Sequence, residues 1–302
     1  MSLEKIGEAR KNDIPIKEAN KMSVNLNTLK SVYVESICAF DSENYFGENA
    51  KVLGTATAFY YKYNDRMYLI TNKHVVTGRD TFTGFLKSEM GSVPTALRVV
   101  VNVDVVNQDN SHEYFEATLV YELYEDVLCQ IDKLWHEHHE HPMIDVVVLD
   151  VTERYHRSIE VIKEVRNCKS CDWYYHDYCY ESKIHNVTEN VFVVGFPFGY
   201  QTTGADGWYA IWNNGTIASE YTKQLVVPVD ALLRKGVYAE LDAFLIDAKT
   251  WEGQSGSPVL TNVSSEKAEL IGVYSGRTDK DSSLGYVWKI KLVNDIIERI
   301  QG

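Results

Sequence analysis

Between Gly253 and Pro258 the chain reads Gly-Gln-Ser-Gly-Ser-Pro, a serine held between two glycines just ahead of an apolar strand. Hydroxyl chemistry has a use for that arrangement, because a nucleophile must stand out on a tight turn. Glycines there leave backbone N–H groups free to face a developing oxyanion, and the amides of Gly253 and Ser255 are the candidate donors. A Gly/Ser/Pro turn is also ordinary punctuation between strands, so the serine needs partners. Two stretches supply them. Tyr68-Leu-Ile-Thr-Asn-Lys-His74 is an apolar strand running into a polar turn that carries a histidine, and Pro142-Met-Ile-Asp145-Val-Val-Val-Leu sets an aspartate at the mouth of an apolar strand. A histidine can take the serine proton, and an aspartate can hold the histidine in the required tautomer.

His74, Asp145 and Ser255 follow the His, Asp, Ser order of chymotrypsin-type barrels, not the order of subtilisins or α/β-hydrolases. The hydrolase elbow G-x-S-x-G fails, because position 257 is Ser. Further segments fall in a consistent order: Gly54-Thr-Ala-Thr-Ala-Phe-Tyr, Thr71-Asn-Lys-His-Val-Val, Asp145-Val-Val-Val-Leu-Asp-Val, Val193-Val-Gly-Phe-Pro-Phe-Gly, Asn214-Gly-Thr-Ile-Ala-Ser and Leu270-Ile-Gly-Val-Tyr-Ser-Gly. On these residues the chain resembles the trypsin-like serine peptidases of the chymotrypsin clan, and is similar in texture to bacterial HtrA-type protease domains and glutamyl endopeptidases. The likeness covers roughly residues 31 to 302 apart from two insertions, with no stretch left over for a PDZ domain.

The resemblance implies an all-β fold of two six-stranded antiparallel barrels and a serine endopeptidase acting through an acyl-enzyme on a peptide or protein substrate. It makes Ser255 the nucleophile, His74 the base, Asp145 the orienting acid, and Gly253 and Ser255 the oxyanion hole. It places Lys249, Thr250, Tyr274, Ser275, Gly276, Arg277 and Gly285 around the substrate side chain. Lys249 falls where trypsin has its pocket aspartate, and Thr250 falls where glutamyl endopeptidases also place a hydroxyl. The expectation is a pocket for acidic or small polar side chains. Gln254 stands where relatives carry Asp or Asn, and Trp251 and Glu252 are bulky at the pocket rim. The latter pair suggests a loop closed at rest and opened by a regulatory protein partner. The competing class is a latent or inactive barrel that serves as a peptide- or protein-binding module.

The chain has 302 residues, 45% of them hydrophobic and 24% charged, ordinary for a globular protein with a substantial core. Its formal net charge of −13 argues against nucleic acid or an anionic membrane as the main partner. No apolar leader opens the sequence, and no apolar run approaches membrane-spanning length. Five cysteines, an odd number unevenly spread, fit reduced thiols and a cytoplasmic protein.

Residues 1–30 form a polar arm without clean periodicity. Residues 31–151 carry six β-rich runs suited to the first barrel. Within them 122–143 reads as an inserted helix, with Leu123, Val127, Leu128, Ile131 and Leu134 on one side and His136, His138, His139 and His141 at its end. Residues 152–190 read as an inter-barrel insertion. There Cys168, Cys171 and Cys179 with His176 have the types for a structural zinc site, or for free thiols in a tyrosine-rich patch. No cofactor is required by the chemistry. Residues 191–302 give a second β-rich block, closed by an amphipathic helix with Ile290, Val293, Ile296, Ile297 and Ile300 at helical spacing.

Overall fold

The structure is a computed structural model. It describes residues 24–302 apart from 40–44, 47–49, 89–90, 140, 180–182, 205–206, 229–237 and 264–267. Most of the expected amino-terminal arm thus lies outside the described residues, which open with a short helix, α1 (Leu26–Lys30).

The first half builds the six expected strands: β1 (Ser31–Cys38), β2 (Lys51–Tyr63), β3 (Arg66–Thr71), β4 (Ala96–Val106), β5 (His112–Glu122) and β6 (Val147–Asp150). They lie in the antiparallel order β5-β4-β1-β2-β3-β6. Side-chain alternation explains why their register is fixed. On β2, Ala56, Ala58 and Tyr60 enter the core of this half, while Phe59 and Tyr61 enter the seam with the second half. A slip of one residue would exchange the two sets. The β2–β3 hairpin turns at Asn64 and Asp65, whose φ angles of 47° and 59° give the mirror-image turn that suits strand twist. Three short strands extend the sheet to nine: His136–Glu137 on β6, Ser170–Trp173 on β4, and His176–Asp177 parallel to β2. Its ladder does not close among the described residues, yet one apolar cluster from all six main strands fills its interior.

The second half closes fully. β7 (Asn190–Gly195), β8 (Ile211–Ile217), β9 (Ala243–Ala248), β10 (Pro258–Thr261), β11 (Glu269–Arg277) and β12 (Leu284–Lys289) form a barrel in the order β7-β8-β9-β12-β11-β10. Val193, Phe244, Ile271, Tyr274 and Val287 fill its core, and between the halves lies a further apolar cluster, joining Tyr33, Phe59, Ile70 and Val148 to Val194, Phe196, Val273 and Trp288. The last helix, Ile290–Gln301, packs Ile290, Val293, Ile296 and Ile297 into this seam, with Ile300 at its edge.

Two expectations are corrected. Residues 122–143 are not a helix. They form a small hairpin, Tyr124–Asp126 with Ile131–Lys133, and then the His136–Glu137 strand. Leu123 alone of the supposed apolar face is buried, and Leu128 is 72% exposed. The Asp126 carboxylate accepts from the Leu128 and Cys129 amides at 3.0 Å each, a local turn that competes with helix formation. Conversely, the insertion opens with a 15-residue helix, Thr152–Arg166, which buries Ile159 and Ile162 against the first core and ends on Asn167 in the left-handed conformation.

Candidate active site

Three elements deliver the chemistry-bearing side chains to one cleft. β3 ends at Thr71, and after the buried Asn72 the chain enters a single helical turn, Lys73–Thr77, that carries His74. The Asn72 side-chain amide donates to the Asp145 carbonyl at 2.7 Å, tying this turn to the loop before β6. Gly78, at φ 64°, closes the turn by donating to the His74 carbonyl.

Asp145 is 2% exposed, and its carboxylate is fully engaged. Oδ1 accepts from the His74 amide at 2.9 Å and the Thr81 hydroxyl at 2.6 Å. Oδ2 lies 2.7 Å from His74 Nδ1 and accepts from the Ser275 hydroxyl at 2.5 Å. Burial opposes its charge, but His74 and the Ser275 and Thr81 hydroxyls more than offset this and hold the carboxyl below its ordinary pKa. With a carboxylate against Nδ1, the histidine proton belongs on Nδ1, which leaves Nε2 as the acceptor.

Ser255 stands on a turn that only glycine can flank. Gly253 has φ 91°, and a Cβ there would lie 2.3 Å from the Phe196 carbonyl. Gly256 has φ 85°, and a Cβ there would lie 2.1 Å from the Thr57 carbonyl. β2 reads this loop through Thr57: its amide donates to Ser255 O at 2.9 Å and its hydroxyl to Gly253 O at 2.8 Å. The Glu252 carbonyl accepts from the Phe198 amide at 2.6 Å. In a trans peptide the Gly253 N–H then points the opposite way. Neither the Gly253 nor the Ser255 amide donates to a protein acceptor among the described residues.

Gln254, the unusual residue before the serine, is wholly buried. It accepts from the Trp251 amide at 2.9 Å and donates to Asn213 Oδ1 at 2.8 Å, while Asn213 donates onward to the Lys249 carbonyl at 2.8 Å. A neutral network thus pins the loop where a carboxylate would demand a cation. The Ser255 hydroxyl donates to the Ser275 carbonyl at 3.0 Å, and no hydrogen bond joins it to His74 among the described residues. Ser275 sits at a register shift between β11 and β12, a bulge that turns its hydroxyl and carbonyl toward the site.

The cleft has a volume of about 600 Å³ and is lined by His74, Asp145 and Ser255 together with Tyr274, Ser275, Gly276, Arg277, Trp251 and others. Of the remaining expected substrate contacts, Thr250 is buried beneath and hydrogen-bonded to the Tyr274 hydroxyl, and Gly285 packs behind the Tyr274 ring. Lys249 lies over the Trp251 ring, 5.3 Å from its centre. Sequence reading missed Thr57, Thr81, Asn213 and Phe198, whose roles arise from contacts distant along the chain.

The cysteine–histidine set is split. Cys168 and Cys171 lie in the first core, and the Cys171 thiol, pushed up to about 11 by burial and the neighbouring Cys168, donates to Ile159 O at 3.5 Å. Cys179 sits at the seam beside Tyr61 and the Leu270 carbonyl. His176 faces the Phe59 ring at 5.5 Å. Among the described residues no group of three or more His, Cys, Asp or Glu is placed to hold a metal ion, so these residues do not fit the zinc site that their types allowed.

A peptidase fold with a His–Asp pair beside a glycine-flanked serine defines the class. The chain belongs to the trypsin-like peptidase domain family, whose match spans residues 56–273. The chain is also similar to solved structures of the Rv3671c protease from M. tuberculosis. The active form is 16% identical over 91% of this chain and 82% of that one, with a TM-score of 0.47. An inactive form is 17% identical over 91% of each chain, with a TM-score of 0.44. No match is found among curated proteins. Among the described residues no helix is long and apolar enough to cross a membrane.

Proposed function

We propose that the protein is a serine endopeptidase that hydrolyses peptide bonds through His74, Asp145 and Ser255. The observation that carries the reading is the buried Asp145 carboxylate, 2.7 Å from His74 Nδ1, facing the same cleft as a serine on a left-handed, glycine-flanked turn. In the reaction the Ser255 hydroxyl leaves the Ser275 carbonyl, forms a bond to the substrate carbonyl carbon, and gives its proton to His74 Nε2. Asp145 stabilises the resulting imidazolium. The carbonyl oxygen takes the electron pair and is met by the Gly253 and Ser255 amides, each worth about 3 kcal/mol. Collapse breaks the C–N bond, His74 protonates the leaving amine, and a water activated by the same histidine releases the acyl group.

The second reading is a latent site, regulated by a protein partner or serving only to bind peptides. It is favoured by the Ser255 hydrogen bond to Ser275 rather than to His74, and by Trp251 and Glu252 at the rim. Five free thiols support a reducing, cytoplasmic setting. Intact mass after fluorophosphonate treatment separates the readings. A single adduct on the wild type that is absent from Ser255→Ala supports the peptidase, and no adduct on folded wild type supports the latent site.

A further inference from the structure

The peptidase reading leaves open which side chain the enzyme accepts, and the geometry beside Ser255 addresses that. The family resemblance puts the substrate side chain between the Ser255 turn and the Tyr274–Arg277 segment, whose Ser275 carbonyl accepts from the Ser255 hydroxyl. Along that segment the space is uneven. A Cβ on Gly276 would meet nothing within 4 Å, so the mouth is open. A Cβ on Gly285 would lie 2.5 Å from Tyr274 Cε2 and 3.2 Å from its hydroxyl, so the tyrosine ring fills the space in front of that glycine. Thr250 and Gly285 contribute nothing to the cleft wall, whereas Tyr274 does.

We propose that Tyr274 is a plug that closes the lower part of the substrate pocket, so that the enzyme cleaves after small residues such as glycine, alanine and serine. The inference rests on the serine-peptidase reading.

The ring is not free to swing aside. It is 2% exposed, packs in the second-barrel core with Ile271 and Val287, and shares a hydrogen bond with buried Thr250. Burial pushes its hydroxyl up to about 12, so the floor is uncharged at neutral pH. Two cations near the turn, Lys249 and Arg277, lie against the Trp251 ring, 5.3 and 6.0 Å from its centre, and Lys87 and Lys280 also line the cleft. A floor with a neutral, already partnered hydroxyl offers no ion pair to a long acidic or basic side chain. Large apolar side chains are excluded by volume.

The test is kcat/KM on peptides differing only at the residue before the scissile bond (Gly, Ala, Ser, Leu, Phe, Glu, Lys), with enzyme counted by fluorophosphonate adduct. The wild type should favour the small set by about tenfold or more over Leu and Phe. Tyr274→Ala should bring Leu and Phe up by about tenfold at the expense of selectivity. Tyr274→Phe, which keeps the ring and loses the hydroxyl, should retain the small-residue preference. If Tyr274→Ala does not fold, the wild-type and Tyr274→Phe profiles decide alone. Fully labelled wild type that cleaves after Leu, Phe or Glu as fast as after Ala would overturn the plug and leave the peptidase reading intact. Protein that takes no adduct would overturn the peptidase reading, and the plug with it.

Discussion

Replacing Ser275 with alanine removes one hydroxyl and almost no volume, which makes it a clean probe of how Asp145 is held. The carboxylate receives four donors, two on each oxygen, and the Ser275 hydroxyl at 2.5 Å is the shortest. A hydrogen bond to a charged acceptor contributes about 1.5–3 kcal/mol net. Losing it removes one of the groups that hold the carboxyl down, so the folded-state pKa of Asp145 rises. The sign follows from the direction of the native shift. Asp145 is held below its ordinary value, so its stabilisation is present above the unfolded carboxyl pKa of about 3.9 and is lost as pH falls through the folded value. Ser275→Ala should therefore melt about 3–6 °C below wild type at pH 7, at roughly 2 °C per kcal/mol. The gap should narrow as pH falls below about 4. Thermal melts from pH 3 to pH 8 read this directly. A gap of equal size at pH 3 and pH 7, or none at pH 7, would refute the claim that the hydroxyl works by stabilising a carboxylate.

Gly253→Ala should lower kcat by about 10²–10³-fold, because a Cβ cannot fit 2.3 Å from the Phe196 carbonyl and the oxyanion amide must move. An unchanged rate of fluorophosphonate labelling would show that this amide is not a donor. Gln254→Glu places a carboxylate among neutral partners and removes the donor to Asn213, costing on the order of 2–3 kcal/mol at pH 7 and less where the acid is protonated. Melts at pH 7 and pH 4 that differ from wild type by the same amount would contradict it. Thr57→Val keeps shape but loses the bond to the Gly253 carbonyl and leaves the Phe196 amide without its acceptor. A loss of about 1–3 kcal/mol in urea unfolding is the expectation, and an unaltered midpoint counts against it.

What was legible in the sequence was whatever is encoded locally. The Ser255 turn announces itself through Gly253 and Gly256, both at positive φ, and the strand runs through alternation that both faces of the first sheet enforce. Thr57, Thr81, Asn213 and Ser275 in its bond to Asp145 were not legible as supports, since each acts across dozens of residues and carries no spacing signal. The 122–143 stretch misled because helical spacing of Leu123, Val127, Leu128, Ile131 and Leu134 has meaning only if a partner surface exists, and most of that face meets solvent. The Thr152–Arg166 helix did leave a trace. Tyr155, Ile159 and Ile162 follow the i, i+4, i+7 pattern, a stripe too short to stand out beside the Cys/His cluster that follows it.

The carboxy-terminal helix has a consequence for how the protein is made. Ile290, Val293, Ile296 and Ile297 complete the apolar seam between the halves, and the cleft spans that same seam, with His74 and Asp145 on one side and Ser255 on the other. During synthesis both halves can fold as units in turn, but the apolar seam that sets His74 and Asp145 opposite Ser255 is complete only once residues 290–301 have been made.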